Sequence, residues 1–222
     1  MRKMLGIIAL FAAAAWPSVA FSQATTRPCG ASEVAGPACL LASKQLASLP
    51  ASKVYWHLDR FPSVVAAERA ATSSSVVAQA FGSVWLFTIE RGGWRSRGGK
   101  HVSMVGPLPI KPAATYAAEY LRSVFEPGAT APLHVHSGPE AFFAVEGDTC
   151  LETPSGVRIG RGPANSMWIE AGPPMLLMAI GSVPRKGFAL ILHDANQPPT
   201  TLSPAWHPKG LCSKQLSADR SR

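Results

Sequence analysis

Two histidines and a glutamate stand close together in PGATAPLHVHSGPEAFFAVEGD, residues 127–148. His134 and His136 are separated by one residue, and in an extended strand such side chains point to the same face. The Ser-Gly-Pro stretch that follows favours a turn, which would bring Glu140 back at the start of the next strand. Two imidazoles and one carboxylate from adjacent strands suit a first-row divalent ion with open positions for water or substrate.

The residues around these three side chains indicate an apolar pocket. Leu133 and Val135 alternate with the histidines and are expected to pack into apolar surroundings on the other face. Phe142 and Ala144 continue the parity of Glu140, so the face beside the carboxylate is expected to be apolar as well. Such a shell controls solvent access to a bound ion.

The other titratable residues give weaker signals. His193, at the end of the apolar run FALILHD, is a candidate for a fourth ligand, although histidines at strand ends are more often solvated or hydrogen-bonded. Glu146 and Glu170 are nearby acidic residues, and the sequence assigns neither of them as a general base. The remaining histidines have no partner pattern and are interpreted as surface or structural residues: His57, His101 and His207.

The elements that must position the site are short. From Val76 to Asp194, runs rich in β-branched and aromatic residues follow one another between glycines and prolines, which predicts an all-β antiparallel barrel or sandwich. Before them, residues 39–49 have helix-like apolar spacing, residues 53–61 predict a strand and residues 63–71 a second helix. The predicted divisions are a signal peptide (1–24), a helical and extended N-terminal segment (25–75), a β-barrel with extra strands (76–195) and a Pro-rich C-terminal tail (196–222).

The first 24 residues have the order of a secretory signal. Two basic residues precede an apolar stretch at 5–16, Pro17 ends it, and Ala20 and Ala24 are suitable cleavage positions. The stretch is shorter than the roughly 20 residues that a membrane span requires, so we interpret it as removed rather than as an anchor. The sequence therefore predicts a periplasmic or secreted protein with no membrane span in the mature chain.

The four cysteines all follow this segment. Four thiols in an oxidising compartment predict two disulfides, for which three connectivities are possible. Cys29 and Cys39 are close in sequence, which favours pairing them and leaves Cys150 for Cys212. A zinc site built from these thiols is disfavoured because no CxxC spacing is present.

The charge pattern does not favour a nucleic-acid partner. The formal net charge is +8, and removal of residues 1–24 takes away two basic residues and leaves +6. The densest basic stretch, ERGGWRSRGGKH at 90–101, is interpreted as a solvated hairpin loop. An interaction loop built on Trp94, Arg95 and Arg97 is the alternative. The export signal and the lack of any recognised module disfavour nucleic-acid binding.

The spacing around the histidines resembles the first motif of the cupin superfamily. Its fixed positions are matched by Gly128, His134, His136, Glu140 and Gly147, separated by five, one, three and six residues. The resemblance covers roughly residues 106–194, about 40% of the chain, and implies a small jelly-roll barrel. Residues 25–105 lie outside it, beyond extra strands that would pack on the barrel.

The second cupin motif is matched only in outline by GPANSMWIEAGPPM, residues 162–175. Gly162 opens it, Glu170 stands where proline is common and Gly172 makes the turn. Met175 occupies the place of the histidine that is the fourth ligand in metal-binding cupins. A thioether binds iron, manganese or zinc weakly, although it is acceptable to copper. We interpret Met175 as part of the cavity wall.

Together with the predicted signal peptide, the resemblance implies an exported cupin. It would hold iron, manganese, zinc or copper through His134, His136 and Glu140 and act on or bind a small organic molecule. If the protein is catalytic, the implied chemistry is of dioxygenase or isomerase type. A non-catalytic cupin that binds a small ligand without a tightly bound metal is the alternative. The resemblance also implies a homodimer formed through the edges of the barrel.

Overall fold

The computed structural model describes residues 26–47, 49, 53–111 and 115–221. The strands within these residues are β1 (Gly36–Leu46), β2 (Lys53–Phe61), β3 (Ser75–Ala80), β4 (Ser83–Glu90), β5 (Lys100–Pro109), β6 (Tyr116–Phe125), β7 (His134–Val135), β8 (Glu140–Glu146), β9 (Asp148–Thr153), β10 (Gly156–Gly160), β11 (Ser166–Ile169), β12 (Leu176–Ile180), β13 (Arg185–Asp194) and β14 (Thr201–Leu202). The helices are α1 (Val64–Ala70) and α2 (Leu211–Arg220).

A five-stranded antiparallel sheet, in the order β1-β6-β13-β8-β11, forms the middle layer. Side chains alternate across it because successive residues of a strand point to opposite faces. Along β6, Tyr120 packs against the Phe87 ring on one face, whereas Leu121 and Ser123 line a cavity on the other. The predicted all-β class of jelly-roll type is therefore confirmed at the level of antiparallel layers.

The four-stranded sheet β3-β4-β2-β5 packs against one face of the middle sheet. The contact is aromatic. The rings of Trp85 and Phe188 lie 5.1 Å apart, and those of Phe87 and Tyr120 lie 5.4 Å apart. Because each of these side chains is fully buried, their removal from water stabilises the packing of the two sheets by about 2 kcal/mol per side chain. Residues beyond the cupin resemblance thus form an added layer.

The three-stranded sheet β10-β9-β12 faces the opposite side of the middle sheet. Phe125 and Phe142 of the middle sheet share an apolar cluster with Leu151 and Leu177 of the smaller one. The chain that leads into β7 runs beside β12, where the Met175 amide donates to the carbonyl of His134 at 3.1 Å. The histidines therefore lie at the margin between two layers.

The helix predicted at residues 39–49 is wrong, because the structure places most of this segment in β1. Leu40 pairs with Leu121 and Leu46 pairs with Tyr116 at the edge of the middle sheet. These tertiary pairings outweigh the helix propensity of a Leu- and Ala-containing run. The strand at residues 53–61 and a helix near 63–71 are confirmed, and the Ser63 hydroxyl caps α1 by accepting from the Ala66 amide at 3.2 Å.

Both favoured disulfides are confirmed, Cys29–Cys39 and Cys150–Cys212. The second joins β9 to α2, so the end of the chain is held on the three-stranded sheet. The described residues contain no helix that is long and apolar enough to cross a membrane. The predicted signal peptide, residues 1–24, lies outside the described residues.

Candidate metal centre

The structure brings the three predicted ligands together. His134 lies on β7, His136 follows it, and Glu140 begins β8 after the turn. One ligand atom from each residue lies within 4.8 Å of the others, and all three side chains are buried. Among the residues that the structure describes, no other group of three or more His, Cys, Asp or Glu side chains is arranged in this way.

Backbone carbonyls orient both imidazole rings. The Nδ1 of His134 donates to the carbonyl of Pro132, and the Nδ1 of His136 donates to the carbonyl of Pro199. A carbonyl only accepts hydrogen bonds, so Nδ1 carries the hydrogen and Nε2 of each neutral ring carries a free electron pair. These Nε2 atoms lie 3.8 and 3.0 Å from the same Glu140 oxygen, Oε2.

The electrostatics of the three groups favour a bound cation. Burial alone would raise the pKa of Glu140, but the adjacent His136 and His134 lower it to about 2. Burial alone would lower the pKa of His134, but the nearby Glu140 carboxylate, with the Pro132 carbonyl, raises it above its ordinary value. Three electron-pair donors that face one another in a buried place need a positive charge between them. The donor set therefore fits a divalent metal ion.

The turn between β7 and β8 requires glycine at position 138. A Cβ atom there would lie 1.9 Å from the carbonyl oxygen of Leu192 on β13. The same turn is fixed by the Leu192 amide, which donates to the carbonyl of Pro139 at 3.0 Å. Close backbone contact with β13 therefore sets the position of Glu140 relative to the histidines.

A cavity of about 310 Å³ opens beside the ligands. His134 and Glu140 line it, as do Thr26 and Arg27 of the N-terminal segment. Its apolar lining comes from both facing sheets and includes Leu121, Phe125, Phe142, Leu177, Ala189 and Ile191. The expectation of an apolar face beside Glu140 is therefore met at Phe142.

Two groups near the site gave no signal in the sequence. Arg185 lines the cavity and donates through Nε to Thr149 Oγ1 at 2.8 Å and through Nη1 to Ser123 Oγ at 3.1 Å. Burial raises the pKa of the half-buried Glu119 carboxyl, and His193 and His136 partly offset the rise. A lone Arg or Glu within an apolar run has no recognisable spacing, so only the three-dimensional arrangement reveals them.

The secondary candidates lie elsewhere. His193 is outside the ligand group, and its Nδ1 lies 2.9 and 3.1 Å from the carbonyls of Asp194 and Gln197. Met175 is buried in the apolar cluster between the sheets, and it is not among the described residues that line the cavity. Glu146 forms an ion pair with Lys186 at 2.7 Å, and Glu170 is exposed.

The histidines interpreted as surface or structural residues fall into both classes. His57 is fully buried, its Nε2 lies 3.0 Å from the Arg91 carbonyl, and the Trp94 ring packs 5.2 Å from it. His101 pairs with Asp59 at 3.1 Å, and His207 is exposed. Because Trp94 packs on the buried His57 ring of β2, this residue of the basic loop lies against the four-stranded sheet.

No protein-family model matches the chain, and no curated protein matches it. The similar solved structures include an oxalate oxidase in complex with the substrate analogue glycolate, at 18% identity and a TM-score of 0.34, over 39% of this chain and 46% of that one. They also include an oxalate decarboxylase from B. subtilis, at 18% identity and a TM-score of 0.32, over 41% of this chain and 25% of that one. A cupin domain from Bordetella pertussis matches at 17% identity and a TM-score of 0.30, over 38% of this chain and 88% of that one. The chain thus spans less than half the length of the first two.

Proposed function

We propose that this chain is a metal-binding cupin in which His134, His136 and Glu140 hold a divalent ion beside a cavity for a small organic molecule. The observation that carries the proposal is the buried convergence of two Nε2 atoms on one carboxylate oxygen, at 3.8 and 3.0 Å. The carbonyls of Pro132 and Pro199 support it because they leave both electron pairs free for an ion.

The chemistry proposed for the site is of dioxygenase or isomerase type. A bound iron, manganese, zinc or copper ion would supply a Lewis acid for the oxygen atoms of the molecule or a centre that activates O₂. The chain itself fixes the two rings, keeps Glu140 ionised and surrounds the site with apolar side chains. Those side chains exclude water and leave room for a compact ligand in about 310 Å³.

The proposed place of action is the periplasm or the outside of the cell. Two disulfides fit an oxidising compartment, where such bonds persist. The order of residues in the predicted signal peptide supports the same location. A homodimer remains an expectation from the cupin resemblance.

The metal content of the protein, purified from the exported fraction without chelators or nickel affinity, tests the proposal. We expect near-stoichiometric metal in the natural chain and its loss in His134→Ala, because one of three ligands is removed. The exposed His207→Ala is the matched control and should keep the metal. Met175→Leu should also keep the metal if the thioether only packs in the apolar cluster.

Absence of metal from a folded natural chain would reject the proposed ion and favour the non-catalytic cupin that binds a small ligand alone. Loss of metal in Met175→Leu would identify the thioether as a ligand and indicate copper, for which sulfur is a suitable donor.

A further inference from the structure

The cavity contains a buried cation that the three proposed ligands do not explain. Arg185 begins β13, and its side chain is 1% exposed. Its hydrogen-bond acceptors are two neutral hydroxyls, those of Thr149 and Ser123. Within the described part of the chain, Nη2 has no hydrogen-bond partner. A buried polar nitrogen is rarely left in this state, so Nη2 is a candidate for contact with a ligand.

The side chain lies on the cavity side of β13. Arg185, Ala189 and Ile191 share the parity that faces the cavity, and all three line it. Gly187 lies between them on the same face, and a Cβ atom there would stand 3.0 Å from Nη2 of Arg185. The guanidinium therefore lies beside the bare backbone of Gly187, in space that a side chain would otherwise occupy.

No carboxylate of the described ranges contacts this guanidinium, although the charge of Glu140 acts on it from beyond ion-pair distance. Among the described residues, no carboxylate forms an ion pair with Arg185, and the one acidic residue that lines the cavity is Glu140. Burial lowers the pKa of Arg185 to about 10, which still leaves it charged at neutral pH. Glu140 contacts His134 and His136 instead, so Nη2 of Arg185 has no acceptor from the described segments whether or not an ion is bound. An anionic ligand would offset the cost of burying the guanidinium.

We propose that the cavity takes a small organic acid and that Nη2 of Arg185 binds its carboxylate. The identity of the site rests on the proposed function, because the acid would occupy the same cavity as the ion. The apolar lining favours a molecule with a hydrocarbon part over an inorganic anion. The volume of about 310 Å³ lies at the lower end for small-molecule pockets, which favours a compact acid.

Titration of the metal-free protein with propionate and with propionamide, at constant ionic strength, tests this proposal. The two probes are similar in shape and differ in charge. We expect the natural chain to bind propionate at least about tenfold more tightly, because only the carboxylate offers charged acceptors to Nη2. Arg185→Met should lose this preference. Arg158→Met, which removes an exposed guanidinium from β10, is the matched control and should keep it.

Circular dichroism of Arg185→Met first establishes that the variant folds. If it does not, the side-chain nitrogen resonances of Arg185 in the natural chain provide the second measurement. Propionate should shift them and propionamide should not. Unchanged resonances at saturating propionate would overturn the proposal.

The metal-free state separates this inference from the proposed function. A preference for propionate that appears only after metal is added would mean that the ion binds the carboxylate, which overturns the role of Arg185 and leaves the metal site intact. A preference in a protein that never binds metal would support Arg185 while the proposed metal site fails. Tighter binding of inorganic phosphate than of propionate would overturn the organic-acid assignment.

Discussion

At the scale of single residues, the candidate centre depends on two proline carbonyls. Pro132 stands two residues before His134, so its carbonyl reaches the ring through a local contact. Pro199 is 63 residues away from His136, and only the fold brings its carbonyl to Nδ1. The ligand atoms therefore follow from local spacing, whereas the tautomer of His136 depends on a long-range contact.

The pairing of Glu140 with the histidines predicts a pH-dependent stability for the metal-free protein. The pKa of His134 is raised above 6.5, so the interaction of the protonated ring with Glu140 adds to the free energy of unfolding below pH 6.5. This contribution is lost as pH rises through the raised pKa. Lowered from 4.5 to about 2, the pKa of Glu140 gives a contribution that is present above 4.5 and lost as pH falls towards 2. Glu140→Gln should therefore lower the free energy of unfolding most between the two ordinary pKa values, 4.5 and 6.5, by about 1–3 kcal/mol.

Urea unfolding with a chelator present, near pH 5.5 and near pH 8.5, measures this difference. Glu146→Gln, at an exposed ion pair, is the control and should change little at either pH. An equal cost of Glu140→Gln at both pH values would contradict the assigned interaction. Metal affinity should have the opposite trend and rise with pH, because protons compete for Nε2.

At the scale of elements, local pattern and long-range pairing differ in what they reveal. The two-residue period, the Ser-Gly-Pro turn and the apolar run after Glu140 were sufficient to predict β7, β8 and the ligand face. The segment that became β1 has a helical pattern, and only its pairing with β6 makes it a strand. Arg185 was not predictable, because a charged residue at the start of a strand is usually exposed.

The tight turn between β7 and β8 predicts that Gly138→Ala strongly lowers both stability and metal affinity. The added Cβ would lie 1.9 Å from the Leu192 oxygen, so the turn must move away from β13. We expect a loss of more than about 2 kcal/mol in the free energy of unfolding, together with weaker metal binding because Glu140 shifts. Gly93→Ala, in an exposed loop where a Cβ meets nothing within 4 Å, is the control. A metal affinity unchanged by Gly138→Ala would show that the turn does not position the ligands.

At the scale of the whole molecule, the cavity lies between the middle sheet and the three-stranded sheet. The four-stranded sheet packs on the face of the middle sheet that is turned away from the cavity, whereas residues of the N-terminal segment line the cavity itself. The cupin resemblance implied a small jelly-roll barrel with extra strands from residues 25–105 packed on it. The pairing of those strands as a separate four-stranded sheet could not be predicted, because residues before 106 lie outside the matched motif.

The disulfides should contribute unequally to stability. Loop closure depends on the sequence separation of the cysteines, which is 62 for Cys150–Cys212 and 10 for Cys29–Cys39. Chain entropy then gives about 4 and about 3 kcal/mol respectively. Urea unfolding of the two paired Cys→Ser variants measures both values. A larger loss from removing Cys29–Cys39 would contradict this order and assign that bridge a direct role in holding the cavity wall.

The connectivity of the bridges has a consequence for biosynthesis. Each bridge joins cysteines that are consecutive along the chain, first with second and third with fourth. When a polypeptide enters an oxidising compartment with its N-terminus first, its first two cysteines reach the oxidant long before the other two. Oxidation in the order of arrival therefore yields the native pairs directly, and maturation of this protein should not depend on a disulfide isomerase.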